Sequence, residues 1–166
     1  MKPIRKAVRT FLIDNNRVVA IKYTKDNLID YYDIPGGKIE DNETAEEAAI
    51  REFKEETGMN IYDPQYAGNL IVEYPDRIYD LYVFIVSTYN GVPHKKFQNT
   101  SEWIEIDELL KKEKKFAEIY LLDELHYYDL LNITKFSWHF ISDKNHKKIN
   151  EIYYENTEKF WSEYYK

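Results

Sequence analysis

Three glutamates, Glu52, Glu55 and Glu56, fall within one turn of the run Arg51-Glu52-Phe53-Lys54-Glu55-Glu56-Thr57-Gly58-Met59. At about 100° per residue in a helix, their i+3 and i+4 spacing places them on one face. Ala45 and Ala48 precede them on that face, where small side chains let another backbone approach. Ala49, Ile50 and Phe53 lie to the side and can face a core. Carboxylates this close repel by roughly a few tenths of a kcal/mol per exposed pair, and by more when partly buried. A solvated acidic face is the ordinary way to tolerate such a cluster. A hard divalent cation reverses the sign of the problem, and oxygen-only ligands with room for water and phosphate suit Mg²⁺ or Mn²⁺. Arg51 can pair with Glu47 or Glu55 and keep the cluster in register.

The elements that must position this face are readable from the flanking pattern. Residues 7–13 and 18–23 alternate as strands, and Asp14-Asn15-Asn16 between them is turn chemistry, so a hairpin is expected. A polar stretch over 24–33 leads into Ile34-Pro35-Gly36-Gly37, where the pattern predicts a tight turn. A helix is expected from Glu43 to Thr57, with Thr44 and Glu47 forming a capping box and Gly58 stopping it. Strands follow at 66–73 and 78–88, the second with the dense apolar run of a central strand, and Asn90-Gly91 signals a tight turn. Ser101 to Ile106 reads as a short strand, and Asp107-Glu108-Leu109-Leu110 opens a helix. Leu121, Leu122, Leu125 and Tyr128 recur at helical spacing, which predicts a second long helix over 119–131. Phe136 to Ile141 alternates like a strand. Ile149, Ile152, Tyr153, Phe160, Trp161 and Tyr164 fit a helical stripe, with a strand over 149–154 as the alternative. Strands interleaved with helices imply a mixed sheet with helices on its faces, and short hairpins exclude a purely parallel one.

Composition narrows the chemistry further. A length of 166 residues is the size of one domain with a sizeable core. There is no cysteine, so disulfides, thiolate nucleophiles and zinc–sulfur sites are excluded. No run reaches the roughly 18 apolar residues of a membrane span, and the N-terminus lacks the apolar core of a signal peptide, so a cytoplasmic protein is expected. The net charge of −7 disfavours nucleic acid as a partner, whereas a small anionic ligand can bind if a metal carries the positive charge. His94, His126, His139 and His146 show no metal-ligand spacing.

From Gly37 the sequence has five residues before Glu43 and seven more before Arg51-Glu52. Phe53, a spacer, Glu55-Glu56, a spacer, Gly58 and apolar Met59 follow. This segment, 37–59, resembles the Nudix box at every fixed position. Pro35-Gly36-Gly37-Lys38-Ile39-Glu40 resembles the lead-in to the box in the MutT-type branch, Glu73-Tyr74-Pro75-Asp76-Arg77 a stretch before a central strand there, and Glu102-Trp103 the opening of a later strand. The likeness spans roughly residues 6–110. It implies an α+β protein with the Nudix fold, an α/β/α sandwich around a mixed sheet. Residues 1–166 would form a single domain, with a C-terminal extension from about 133 packed on it.

The same resemblance implies that Glu52, Glu55 and Glu56 bind metal together with the Gly36 carbonyl. Water would attack phosphorus in line, releasing a nucleoside monophosphate and pyrophosphate. Glu52 is the first choice for the proton acceptor and Glu55 the second. Arg51 would orient the cluster and Glu43 assist near the helix start. Gly37 and Lys38 would meet substrate, with Lys22 and Arg77 as candidate phosphate contacts, the alternative for the last two being ordinary surface cations. One departure stands out: Phe97 occupies the position where related enzymes often carry a further metal-binding carboxylate, and Glu102 is the nearest substitute. Tyr79, Phe84 or Trp103 could stack on a base or serve the core. The leading expectation is a nucleoside triphosphate pyrophosphohydrolase, with oxidised purine nucleotides such as 8-oxo-dGTP as substrates, acting as monomer or homodimer. An ADP-ribose or nucleoside-diphosphate-sugar pyrophosphatase, an RNA 5′-pyrophosphohydrolase and a non-catalytic nucleotide sensor are the alternatives.

Overall fold

A computed structural model describes residues 1–25, 29–95, 99–114, 116–127, 136–142 and 149–154. Strand β1 (Ile4–Asp14) turns back into β2 (Arg17–Lys25) through Asn15 and Asn16, both at positive φ. Asparagine tolerates that left-handed backbone better than most residues, which is why the turn chemistry was legible. β3 (Ile29–Asp33) pairs antiparallel with β2, so part of the polar stretch expected to be a connection is an edge strand instead. β4 (Gly36–Lys38) pairs antiparallel with Ala7, Val8 and Arg9 of β1.

Helix α1 (Ala45–Thr57) begins at Thr44, whose hydroxyl accepts the Glu47 N–H while the Glu47 side chain accepts the Thr44 N–H. It ends at Gly58, left-handed at φ 76°, with the Gly58 N–H donating to the Lys54 carbonyl. β5 (Asn60–Tyr62), β6 (Gln65–Glu73), β7 (Ile78–Val86) and β8 (Thr88–Asn90) follow. Asn90-Gly91 does not close a hairpin onto the next strand: β8 pairs back with β5, and β9 (Asn99–Glu105) crosses to pair with β2. α2 (Ile106–Lys111) and α3 (Ala117–Tyr127) come next, with residues 128–131 of the expected second helix outside the described residues. β10 (Phe136–Ser142) and β11 (Ile149–Tyr154) complete the described chain, so 149–154 is a strand rather than the start of a helical stripe.

The main sheet runs β11-β10-β6-β7-β1-β2-β3, with β4 attached to β1 and β9 to β2. β1 lies parallel to β7 and β6 antiparallel to it, which makes the sheet mixed as expected. Alternation along β1 divides the core. Ala7 and Phe11 join the cluster that holds Leu109 of α2 and Leu121, Leu122 and Leu125 of α3. Val8 packs with Ala48 and Ala49 of α1, and Leu12 with Phe53. Helices thus cover both faces of the sheet. Ile50, expected beside the core, is exposed at 38%, because it sits past the edge of the buried stripe Ala48, Ala49, Phe53 and Thr57.

Phe53 is fully buried against Leu12, Val19, Met59, Ile61 and Val86. Phe53→Ala is expected to destabilise the chain by about 3–5 kcal/mol, read as a lower midpoint in urea unfolding with an unchanged m-value.

Candidate active site

The box glycines are explained by crowding rather than by turning. Neither Gly36 nor Gly37 has a positive φ; both lie in strand β4. A Cβ on Gly36 would stand 1.9 Å from the Val8 carbonyl oxygen, and one on Gly37 would stand 2.3 Å from the Glu52 carboxyl carbon. The bare backbone of β4 therefore fits between β1 and α1, and the Glu52 carboxylate rests against it. The chain bends at Pro35 between β3 and β4, within the span where a tight turn was expected, while Gly36 and Gly37 of that span lie in the strand.

On α1, Glu52, Glu55 and Glu56 share the face toward β4, as the spacing required. Arg51 gathers them. Its Nη1 donates to Glu52 Oε1 at 2.8 Å and to Glu55 Oε2 at 3.3 Å, while its Nε and Nη2 hold both oxygens of Glu43 at 2.6 and 2.8 Å. Nη2 also reaches the Lys38 carbonyl at 2.9 Å, tying the helix to β4. Glu47, the other expected partner of Arg51, is used in the helix cap. Glu43 is held down to about 2, first by the hydrogen bonds from Arg51 and then by the Glu40 N–H. Its carboxylate pins the loop over 40–43 as well as the arginine.

Glu56 sits deeper. Its Oε2 accepts the Gly36 N–H at 3.4 Å. Burial pushes its carboxyl up to about 7, against the pull of Arg9 and of that N–H, with Glu52 and Glu55 adding to the rise. A buried acid this reluctant to ionise alone is one that gains from a cation. Among the described residues no three acidic or histidine side chains stand around a common point as a formed metal cage. The reason is visible: Glu52 and Glu55 are turned onto Arg51, and Glu56 onto Gly36. The donor set, all oxygen and beside bare glycine backbone, suits Mg²⁺ or Mn²⁺ in chemistry.

The remaining candidates are dispersed. Lys38 lies at the end of β4, within the box. Lys22 lies on β2, opposite Tyr32 and Thr100. Arg77 is engaged by both oxygens of Asp76 at 3.0 Å, and its guanidinium packs over the Tyr74 and Tyr79 rings at 4.7 and 5.6 Å. Phe84 is a core residue at 4% exposure, packed with Ala48 and Ala49. Trp103 lies under Arg17 and beside Tyr89, and Glu102 accepts the Tyr32 hydroxyl at 2.8 Å. Phe97, His146 and the side chain of His139 fall outside the described residues.

One cluster was not anticipated. Arg9 donates from Nε to Glu118 Oε1 of α3 at 3.0 Å and from Nη1 to the Val8 carbonyl at 2.8 Å. Asp33 lies close by, and burial and Glu118 keep its carboxyl well above the usual range despite Arg9 and the Ile34 N–H. The available signal was a cation within the apolar run 7–13, on the same face as Ala7 and Phe11.

An α/β/α sandwich whose Arg51-anchored carboxylate helix packs on a glycine strand defines a Nudix-type hydrolase. A family model described as the NUDIX domain matches residues 3–125, and the chain belongs to that family. It is similar to the 8-oxo-dGTP diphosphatase of Escherichia coli K12, 32% identical over 107 residues, covering 64% of this chain and 83% of that one. The 8-oxo-dGTP diphosphatase of Proteus vulgaris is 35% identical over 83 residues, covering 49% and 74%. Among solved structures, a MutT protein from Bacillus halodurans superposes with a TM-score of 0.75 at 19% identity, covering 90% of this chain and 96% of that one.

The raised Glu56 carboxyl makes stability depend on pH. The folded protein binds this proton more tightly than the unfolded chain, whose value is near 4.5, so metal-free stability falls as pH rises from 4.5 through about 7. Urea unfolding in EDTA at about pH 5 and about pH 8 is expected to show Glu56→Gln losing less stability across that interval than wild type, by on the order of 2 kcal/mol.

Proposed function

We propose that the chain hydrolyses a nucleoside triphosphate to the monophosphate and pyrophosphate with Mg²⁺, Mn²⁺ being able to substitute, and that oxidised purine nucleotides such as 8-oxo-dGTP are its substrates. The observation that carries this is the carboxylate face of α1, complete in Glu52, Glu55 and Glu56 and held beside β4 by Arg51. The named activity of the bacterial relatives supports the substrate.

In this reading Glu52, Glu55 and Glu56 hold the ion together with the backbone of Gly36. Bound there, it neutralises phosphate oxygens and makes water a better nucleophile. The chain's own groups do the rest. Glu52 accepts the proton of the attacking water, with Glu55 as the second choice. Arg51 keeps both oriented, and Glu43 keeps Arg51 in place by occupying two of its nitrogens. Gly37 leaves room against the Glu52 carboxylate, and Lys38 on the same strand meets the phosphates, with Lys22 and Arg77 as outlying cations. Residues 1–166 act as one domain, an assignment supported by the pairing of β10 with β6 and of β11 with β10.

The test is product analysis with Mg²⁺ on 8-oxo-dGTP, the ordinary dNTPs, ADP-ribose and a 5′-triphosphorylated RNA. Monophosphate plus pyrophosphate from a triphosphate is the expected result. Cleavage of ADP-ribose alone would move the chain to the sugar-nucleotide branch, and turnover of none would favour a sensor. Glu52→Gln and Glu55→Gln are each expected to lower kcat roughly 10²-fold or more while far-UV circular dichroism stays unchanged. Full activity in both variants would remove them from the chemistry.

A further inference from the structure

A cavity of about 680 Å³ opens against β1, beside Tyr79 of β7 and Gly37 and Lys38 of β4. Four cations line it, Arg5, Lys6, Arg9 and Lys38, and no carboxylate does. In a chain of net charge −7 this is the reverse of the average surface. Arg9 is neutralised by Glu118 at 3.0 Å. The other three are not. Among the described residues Lys6 and Lys38 have no hydrogen-bond or ion-pair partner, and Arg5 meets only Tyr79, whose hydroxyl it reaches at 3.4 Å. Asp80, the acid that feels Lys6, is 3% exposed and accepts Asn69 Nδ2 at 2.5 Å. The positive potential registers on Tyr79. Burial acts to raise its hydroxyl, yet hydrogen bonds from Arg5 and Arg77 bring it below the usual phenol range.

Uncompensated cations around one cavity repel each other, and an anion that enters removes that cost. Phosphate suits the donors, since an arginine offers a fork to paired oxygens and a lysine a mobile point charge. The volume exceeds that of a bare phosphate and lies in the range of small-molecule sites, so the anion arrives attached to something larger. Gly37 indicates what. It lines the cavity, and a Cβ on it would stand 2.3 Å from the Glu52 carboxyl carbon, so at this point only bare backbone divides the cavity from the box. One ligand can span both.

We propose that the cavity is a second phosphate site, and that the nucleotides bound best carry a phosphate on the sugar in addition to the 5′ chain that lies at the box. Arg5 and Lys6 hold the second phosphate, and Lys38 stands where the two sites meet. The identity of the base plays no part in this selection. The assignment rests on the pyrophosphohydrolase reading above, since it takes the 5′ chain to lie at the carboxylate face of α1.

Calorimetric titration of the full chain with Mg²⁺ present tests it without turnover, using adenosine 3′,5′-bisphosphate and AMP, neither of which has an anhydride to cut. Wild type is expected to bind the bisphosphate about tenfold tighter than AMP, the gain of one added charge-assisted contact. Arg5 and Lys6 are both exposed, and the double variant Arg5→Gln, Lys6→Gln is expected to bring the two ligands within about twofold. The wild-type comparison carries the test if that variant fails to fold. Equal binding of both ligands by wild type, or a preference retained in the double variant, would overturn the proposal. Inorganic phosphate binding wild type as tightly as the bisphosphate would also overturn it, because the cavity would then hold a free anion. Equal binding together with pyrophosphate release from a nucleoside triphosphate would sink the second site and leave the pyrophosphohydrolase reading intact. Preference for the bisphosphate with no turnover of any triphosphate would do the reverse.

Discussion

Negative charge concentrated on one face of α1 is the constraint around which the structure is organised. Glu52, Glu55 and Glu56 share that face, Glu43 lies close to it, and Arg51 touches Glu43, Glu52 and Glu55 together. Such a cluster would cost the fold by self-repulsion if left to itself. Arg51 reduces that cost and, through the Lys38 carbonyl, converts an electrostatic need into a positional one, since the helix cannot slide without breaking this contact. Glu56, outside the reach of Arg51, keeps the unresolved part of the charge as a carboxyl that ionises only near neutrality.

The second constraint is steric. β4 runs against β1 at a separation that leaves no volume for a Cβ at Gly36, and a Cβ at Gly37 would displace the Glu52 carboxylate. The same strand β1 therefore serves both layers: its backbone holds β4, Val8 and Leu12 pack toward α1, and Ala7 and Phe11 pack toward α3. Position errors are poorly tolerated in such an arrangement, because interiors are packed densely enough that a misplaced carbon must move its neighbours. Arg9 extends the connection, since it joins the β4 neighbourhood to Glu118 at the start of α3.

Much of this was legible because the signals are local. The helix face follows from i+3 and i+4 spacing, and the cap from Thr44 and Glu47. The hairpin follows from asparagines that accept positive φ. The Nudix fold and the mixed sheet stand as expected from the box. Non-local facts were not legible. Gly36 and Gly37 resemble a turn in sequence, and only the approach of Val8 and Glu52 shows them to be a packed strand. Asn90-Gly91 has hairpin chemistry, yet β9 finds its partner in β2, some eighty residues upstream. Ile50 follows the apolar pattern of its neighbours but lies beyond the edge of the contact with the sheet. Arg9, Asp33 and Glu118 are separated in sequence by up to 109 positions, so nothing local announces that they meet.

The central claim is that the carboxylate face of α1 is built to hold a divalent cation. Direct titration of the metal-free chain with Mn²⁺, followed by electron paramagnetic resonance, tests it without reference to any substrate. Saturable binding that is weakened at least about tenfold by Glu56→Gln, with a thermal midpoint that rises with ion concentration, is the result predicted. Binding that is absent, or unchanged when Glu52 and Glu56 are both replaced by glutamine, would contradict it and leave the cluster as an Arg51-braced structural device.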